Sequence, residues 1–221
     1  MPEGPEVSAL AMAVQKSGVD VHAHAYGKHL FASGHDWSFG LCGRVRVVQG
    51  PPSSIDGTCS RALARPAWTG GVVGKTVPVE SCAEMVLSNG LGIDWMTAER
   101  AALASLVQTW ASSRRQLGLL ITDQSCVAGI GIAWGSEILA RAGNLRPELP
   151  ARAQNLRTLA SAMLSIREEV QSAYTAFVTH APDLREVIND WYENLYTLRT
   201  MHVYKKGRPL KVGGRTWWVS A

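Results

Sequence analysis

Two stretches of this 221-residue chain concentrate side chains that could do chemistry. The first is the opening heptapeptide, Met1-Pro2-Glu3-Gly4-Pro5-Glu6-Val7, which sets two carboxylates among two prolines. Carboxylates there can move protons, or they can complement the positive end of a helix that begins nearby. The second lies at the other end. From Arg199 onward the chain carries Arg199, Lys205, Lys206, Arg208, Lys211 and Arg215 and no acid, with Tyr204, Trp217 and Trp218 between or beside them. Cations interleaved with aromatic rings suit a nucleic-acid surface; a solvated basic tail is the other reading. The net charge of +4, from 22 basic and 18 acidic residues, favours a polyanionic partner only slightly. Metal chemistry has little support. Cys42, Cys59, Cys82 and Cys126 share no CxxC spacing, which argues against a zinc ribbon. Gly129-Ile130-Gly131 can bring backbone N–H groups close to a phosphate, although a lone GxG is most often a simple turn.

The elements that must carry these residues read as follows. Pro5 disfavours a helix interior, so the first helix is placed at residues 8–18, ending at Gly18. HLFASGHDWSFGLCGRVRVV gives short strands interrupted at Ser33 and Gly34, and its last five residues alternate as a half-exposed strand does. VGKTVPVE and AEMVLSNGLGIDW read as further strands, with Asn89-Gly90 as a hairpin signal. From Thr97, read as an N-cap, the chain turns helical, and residues 154–178 and 184–196 read as two more helices. VYKKGRPLKVGGRTWWV reads as a β-hairpin turning through Gly213-Gly214. The result is α+β: an N-terminal helix, a β-rich part to about residue 95, a helical part and a C-terminal ribbon. No apolar run reaches the ~20 residues of a membrane helix, and no signal-peptide pattern opens the chain. The expectation is a soluble cytoplasmic protein.

Four separated pieces, in order, resemble the formamidopyrimidine-DNA glycosylase and endonuclease VIII family. They are Met1 to Val7; Ala25-Tyr26-Gly27-Lys28-His29-Leu30-Phe31 with Gly40-Leu41-Cys42-Gly43-Arg44; Asp123 to Gly131 with Ser136-Glu137-Ile138-Leu139 and Arg141-Ala142-Gly143; and Val203 to Pro209 with Gly214 to Trp218. Gly4 and the GKHLF segment look nearer the endonuclease VIII branch. The resemblance implies an N-terminal helix with a reduced β-sandwich over residues 1–96, a helix–two-turn–helix domain over 97–198 and a zincless β-hairpin finger over 199–221. It also implies a bifunctional DNA glycosylase and AP lyase of base-excision repair.

By the same resemblance Met1 is removed and the Pro2 amine attacks C1′ of the damaged nucleotide. A terminal amine has a pKa of about 7.7–8.0, against about 10.4 for lysine, so part of it is free base at neutral pH. Glu3 is the implied proton carrier for opening the sugar ring. Lys28 and Arg215 complete the implied catalytic set, as a cation near the lesion and a phosphate grip. Glu6, Leu41, Gly129, Gly131, Lys205, Lys206 and Arg208 are the implied DNA contacts. No cofactor or metal is implied, and the partner is damaged, abasic or single-stranded DNA, met by a monomer at the nucleoid.

The chain also departs from that pattern. Ile132 stands where the family places asparagine after GxG, Leu210 and Val219 stand near the expected finger cysteines, and the loop that plugs the duplex after flipping has no clear counterpart. Leu41 is then the one candidate wedge, with a core leucine as the alternative. These losses leave a second reading open, a diverged member that binds damaged or abasic DNA with lyase activity only or no catalysis.

Overall fold

The computed structural model describes residues 3–16, 23–32, 35–38, 47–49, 60–62, 70–73, 75–78, 80–180 and 201–220. Pro2, Leu41 and the helix expected at 184–196 lie outside them. The chain divides into two compact units, Met1–Gly90 with Ser172–Tyr196, and Leu91–Gln171 with Thr197–Ala221.

In the first unit, helix α1 (Gly4–Lys16) precedes strands β1 (Ala23–Tyr26), β2 (His29–Ala32), β3 (His35–Ser38), β4 (Val47–Gln49), β5 (Ser60–Ala62), β6 (Gly70–Val73) and β7 (Lys75–Pro78), then helix α2 (Cys82–Ser88). The strands form two small antiparallel sheets, of order β1-β2-β3-β7 and β4-β6-β5. Helix α1 packs on β1 and β2 and buries Val7, Leu10 and Ala13, while Leu30 is buried from β2.

Two expectations about this unit need correction. Helix α1 starts at Gly4, not at residue 8. Pro5 lies in its first turn, where the missing N–H has no intrahelical acceptor in any case. Residues 82–88 form a helix, not a strand. Ser81 is its N-cap, accepting the backbone N–H of Glu84 at 3.1 Å, and the Glu84 carboxylate takes the N–H of Glu80 in return. Asn89-Gly90 ends this helix; the Asn89 side chain donates to the Met85 carbonyl at 2.8 Å. The Ser-x-x-Glu spacing outweighed the apolar run that suggested a strand.

The second unit holds strand β8 (Ile93–Asp94), helices α3 (Arg100–Trp110) and α4 (Leu117–Ile121), strand β9 (Val127–Ala128), helix α5 (Ile132–Arg141), and strands β10 (Arg208–Val212) and β11 (Arg215–Val219). Helix α6 (Leu159–His180) follows α5, and the boundary between the units falls within it. Strands β8 and β9 pair in parallel, and β10 and β11 form the expected hairpin. Trp95, Leu103, Ile121, Trp134, Ile138 and Trp217 are among its fully buried side chains.

Thr97 does not cap α3; the N-cap is Glu99. Asp94 holds that corner instead, accepting from the Met96 N–H at 3.1 Å and the Thr97 hydroxyl at 3.4 Å. Helix α6 likewise begins at Leu159 rather than 154, because the Gln154 side chain bonds both the N–H and the carbonyl of Arg146. Among the described residues no helix is long and apolar enough to cross a membrane.

Candidate functional site

Glu3 immediately precedes α1, and Glu6 is the third helical residue. Glu6 Oε2 accepts the backbone N–H of Glu3 at 2.8 Å, while the Glu3 carbonyl accepts the N–H of Val7 at 3.1 Å. This is the half of a capping box in which the third-position acid reaches back to the residue before the helix. Glu6 is 0% and Glu3 5% exposed. A carboxylate buried so completely must be met by donors, and here one of them is the Glu3 backbone itself. Glu6 therefore fixes the peptide that carries the Glu3 side chain. Its spacing from Glu3 was the signal for this arrangement.

Lys28 occupies the second position of the two-residue turn between β1 and β2, closed by the Tyr26–His29 pair. Gly27 supplies the positive φ, 58°, that such a turn asks of its first residue. The hairpin thus presents a half-buried lysine at its tip. Glu3, Glu6 and Lys28 all belong to the first unit.

Gly129 and Gly131 lie in the second unit, at the junction of β9 and α5. Here a residue not singled out from the sequence does most of the organising. Gln124 donates from Nε2 to the carbonyls of Thr122 (3.0 Å) and Ile130 (2.8 Å), and its Oε1 accepts the N–H of Gly129 at 2.9 Å. The Gly129 amide is thus engaged inside the turn. Gly131 is the N-cap of α5, its carbonyl taking the N–H of Gly135 at 2.8 Å. Beside it, the Asp123 carboxylate accepts from the Ser125 hydroxyl at 2.6 Å and from Arg115 at 2.9 Å. The Ser125 hydroxyl, then Arg115, hold its pKa below the usual carboxylate range against the opposing effect of burial.

The C-terminal hairpin is docked on α5 by two polar anchors and one large ring. Glu137, 4% exposed, accepts the backbone N–H groups of His202 (2.9 Å), Val203 (2.8 Å) and Tyr204 (2.7 Å). The Ser136 hydroxyl accepts the N–H of Trp218 at 3.2 Å. Trp217 lies where methyl groups on Gly118 of α4 and Gly135 of α5 would meet its ring at 3.0 Å. The hairpin turns through Gly213 and Gly214, with φ of 56° and 75°, as a tight two-residue turn requires.

Arg215 stands beside this turn, exposed and unpaired among the described residues. Arg208 is at the far end of the hairpin, also exposed and unpaired. Lys205 lies 5.5 Å from the centre of the Tyr204 ring, and Lys206 Nζ donates to the Met201 carbonyl at 2.6 Å. Among the described residues no group of three or more His, Cys, Asp or Glu could hold a metal ion. In the sequence Glu137 and Ser136 stand out only within the Ser136-Glu137-Ile138-Leu139 segment of the resemblance, with no role attached to either; buried polar groups such as these take partners.

Solved structures resemble this architecture over nearly the whole chain. The MutM (Fpg) protein of Thermus thermophilus superposes with a TM-score of 0.68 at 18% identity, covering 98% of this chain and 96% of that one. The fold is that of the MutM (Fpg) proteins. Lactococcus lactis Fpg in complex with DNA containing an oxidised pyrimidine gives 0.65 at 15% identity, with 98% and 97% covered. Lactococcus lactis Fpg bound non-covalently to DNA containing an AP site gives 0.60 at 13%, with 90% and 78% covered. No protein-family model and no curated protein matches the chain. On the Fpg fold, the expected N-terminal helix, small sheets, helical part and C-terminal hairpin are all in place.

Proposed function

We propose that the chain is a DNA glycosylase and AP lyase of base-excision repair, nearer the endonuclease VIII branch, acting on damaged or abasic DNA. The supporting observation is Glu3, buried immediately before α1 and next to Pro2 in the sequence, on a fold shared with Fpg proteins whose solved complexes contain damaged or AP-site DNA. In this reading residues 1–96 carry catalysis, 97–198 the helix–two-turn–helix and 199–221 a zincless finger.

The reaction assigned to these residues is as follows. With Met1 removed, the Pro2 nitrogen bonds to C1′ as the glycosidic bond breaks and the base departs. Glu3 delivers a proton to the ring oxygen, the sugar opens, and the linkage becomes an iminium. The iminium acidifies the adjacent C–H; loss of that proton expels the 3′ phosphate and breaks the strand. Lys28 and Arg215 steady the negative charge of the phosphates. Glu6 serves this chemistry through Glu3, whose backbone it holds. Gly129, Gly131, Lys205, Lys206 and Arg208 complete the DNA contacts, with Leu41 as the wedge.

Borohydride should trap a covalent adduct between abasic or oxidised-pyrimidine DNA and protein confirmed by mass spectrometry to begin at Pro2. No adduct from such protein would sink the proposal. A reading with lyase activity only is favoured by one observation: the Gly129 amide is already bonded to Gln124, which weakens the case for a phosphate grip at that turn. Release of free damaged base from an intact lesion nucleotide separates the two.

A further inference from the structure

A cavity of ≈ 240 Å³ opens in the second unit between the C-terminal half of α5, the segment after it and the far end of the hairpin. Its floor is apolar, with Leu139, Leu145 and Val219 all largely buried. Asn144, Arg146, Arg208, Trp218 and Ser220 also line it, so polar, basic and aromatic side chains join the apolar ones. Within the second unit the pocket stands apart from the Gly129-Gly131 turn and from Arg215. At 1.5 Å per residue, Leu139 is about 12 Å along α5 from Gly131. At ~3.4 Å per residue, Arg208 is about 14 Å along the hairpin from the level of Arg215.

The polar lining groups keep hydrogen-bonding capacity for a ligand. Arg208 is unpaired among the described residues. Arg146 pairs with Glu148 through Nη2, leaving the remaining donors of its guanidinium. Ser220 donates to Asn144 Oδ1 at 2.7 Å, so the Asn144 amide nitrogen keeps its two donors and the Ser220 oxygen its acceptor capacity. Asn144 is held in the left-handed region, φ 58°, a conformation that asparagine tolerates better than most residues. Two guanidinium groups match a phosphate; an aromatic residue among apolar side chains matches a nucleobase. A carboxamide and a hydroxyl in the lining match the polar edge of such a base. The volume, below the ~300 Å³ at which drug-sized pockets begin, suits one base with part of its sugar.

We infer that this cavity is a second nucleotide site, which takes one unstacked nucleotide with its base against Trp218 and its phosphate on Arg146 and Arg208. The inference rests on the pocket's own chemistry and does not require the chain to cleave DNA.

The test is binding of deoxynucleoside 5′-monophosphate to the full chain by ligand-observed NMR, with inorganic phosphate and the unphosphorylated deoxynucleoside in parallel. The nucleotide should bind with a dissociation constant of about 1 mM or tighter, and at least about tenfold more tightly than either fragment. Arg146→Ala and Arg208→Ala should each weaken it about fivefold or more, and the double variant should abolish it. Trp218→Leu should remove the advantage of nucleotide over phosphate, and Trp218→Phe should restore much of it. Thermal unfolding of each variant checks that the fold persists. Undiminished nucleotide binding in the folded double variant overturns the inference, and so does equal affinity for phosphate and nucleotide. Borohydride trapping with unaltered protein reads the glycosylase proposal separately, so either can fail alone.

Discussion

Glu137 sits below 5% exposure and bonds three successive backbone N–H groups. Hydrogen bonds to a buried charge are worth about 1.5–3 kcal/mol each, so Glu137→Gln should lower unfolding stability by about 2–3 kcal/mol in chemical denaturation. The loss should also appear as faster hydrogen exchange at the amides of residues 202–204, which a general weakening of the core would not single out. Asp123 yields a smaller effect with a defined sign. Its folded-state pKa lies below the unfolded value, so its contribution is present above the unfolded value of about 3.9 and is lost as pH falls through the folded one. Between pH 7 and pH 2 the unaltered chain should therefore lose more stability than Asp123→Asn. The difference should be below about 1 kcal/mol, because the Arg115 partner is exposed and solvent screens the pair.

The junction of α4, α5 and the hairpin is an element-level device: two helices bring glycines to one tryptophan. A valine at Gly135 would drive its methyl groups into the Trp217 ring, already 3.0 Å from a built Cβ. Gly135→Val should cost about 1–3 kcal/mol by overpacking, and Trp217→Ala about 3–5 kcal/mol by leaving a void; thermal or denaturant unfolding reads both. The same elements show what the amino-acid order could reveal. The C-terminal hairpin was legible because Gly213-Gly214 between alternating segments has few other uses. Pro5 reads as a breaker only if it is taken for an interior residue; the spacing of Glu3 and Glu6 already matches a capping box and marks the true start of α1. At residues 82–88 a short apolar run fits strand or helix equally, and only Ser81 and Glu84 decide between them. Gln124 was illegible for a different reason: its three partners, Thr122, Gly129 and Ile130, meet only once the turn has formed.

For the molecule as a whole, the net charge is a modest +4, so the proposed DNA affinity would have to come from where cations stand rather than from how many there are. Arg215, exposed at the hairpin turn without a partner among the described residues, should act as a sequence-blind phosphate contact. Arg215→Ala should weaken binding of intact, damaged and abasic DNA alike, and reduce the slope of log affinity against log salt by about 1. A changed choice of lesion at unchanged affinity would refute that role. The pieces that resemble the glycosylase family were legible one by one in the sequence, but how they are held was not, because Glu137 and the residues it grips are 65 or more positions apart. The fold, shared with Fpg proteins at 18% identity or less, is thus carried by a few spaced residues and a volume pattern.

Lys16, the last residue of α1, donates to the carbonyls of Val178 and Thr179 at 2.6 and 2.7 Å, closing a gap of 162 residues in sequence. Such a grip sets a timetable. Ribosomes add about 5–20 residues per second, so Val178 emerges roughly 8–30 s after Lys16. Throughout that interval the end of the first helix has no access to this anchor. A permuted chain that delivered Val178 first would have the two carbonyls waiting as α1 emerged, so the order of synthesis decides when this end of the helix is held.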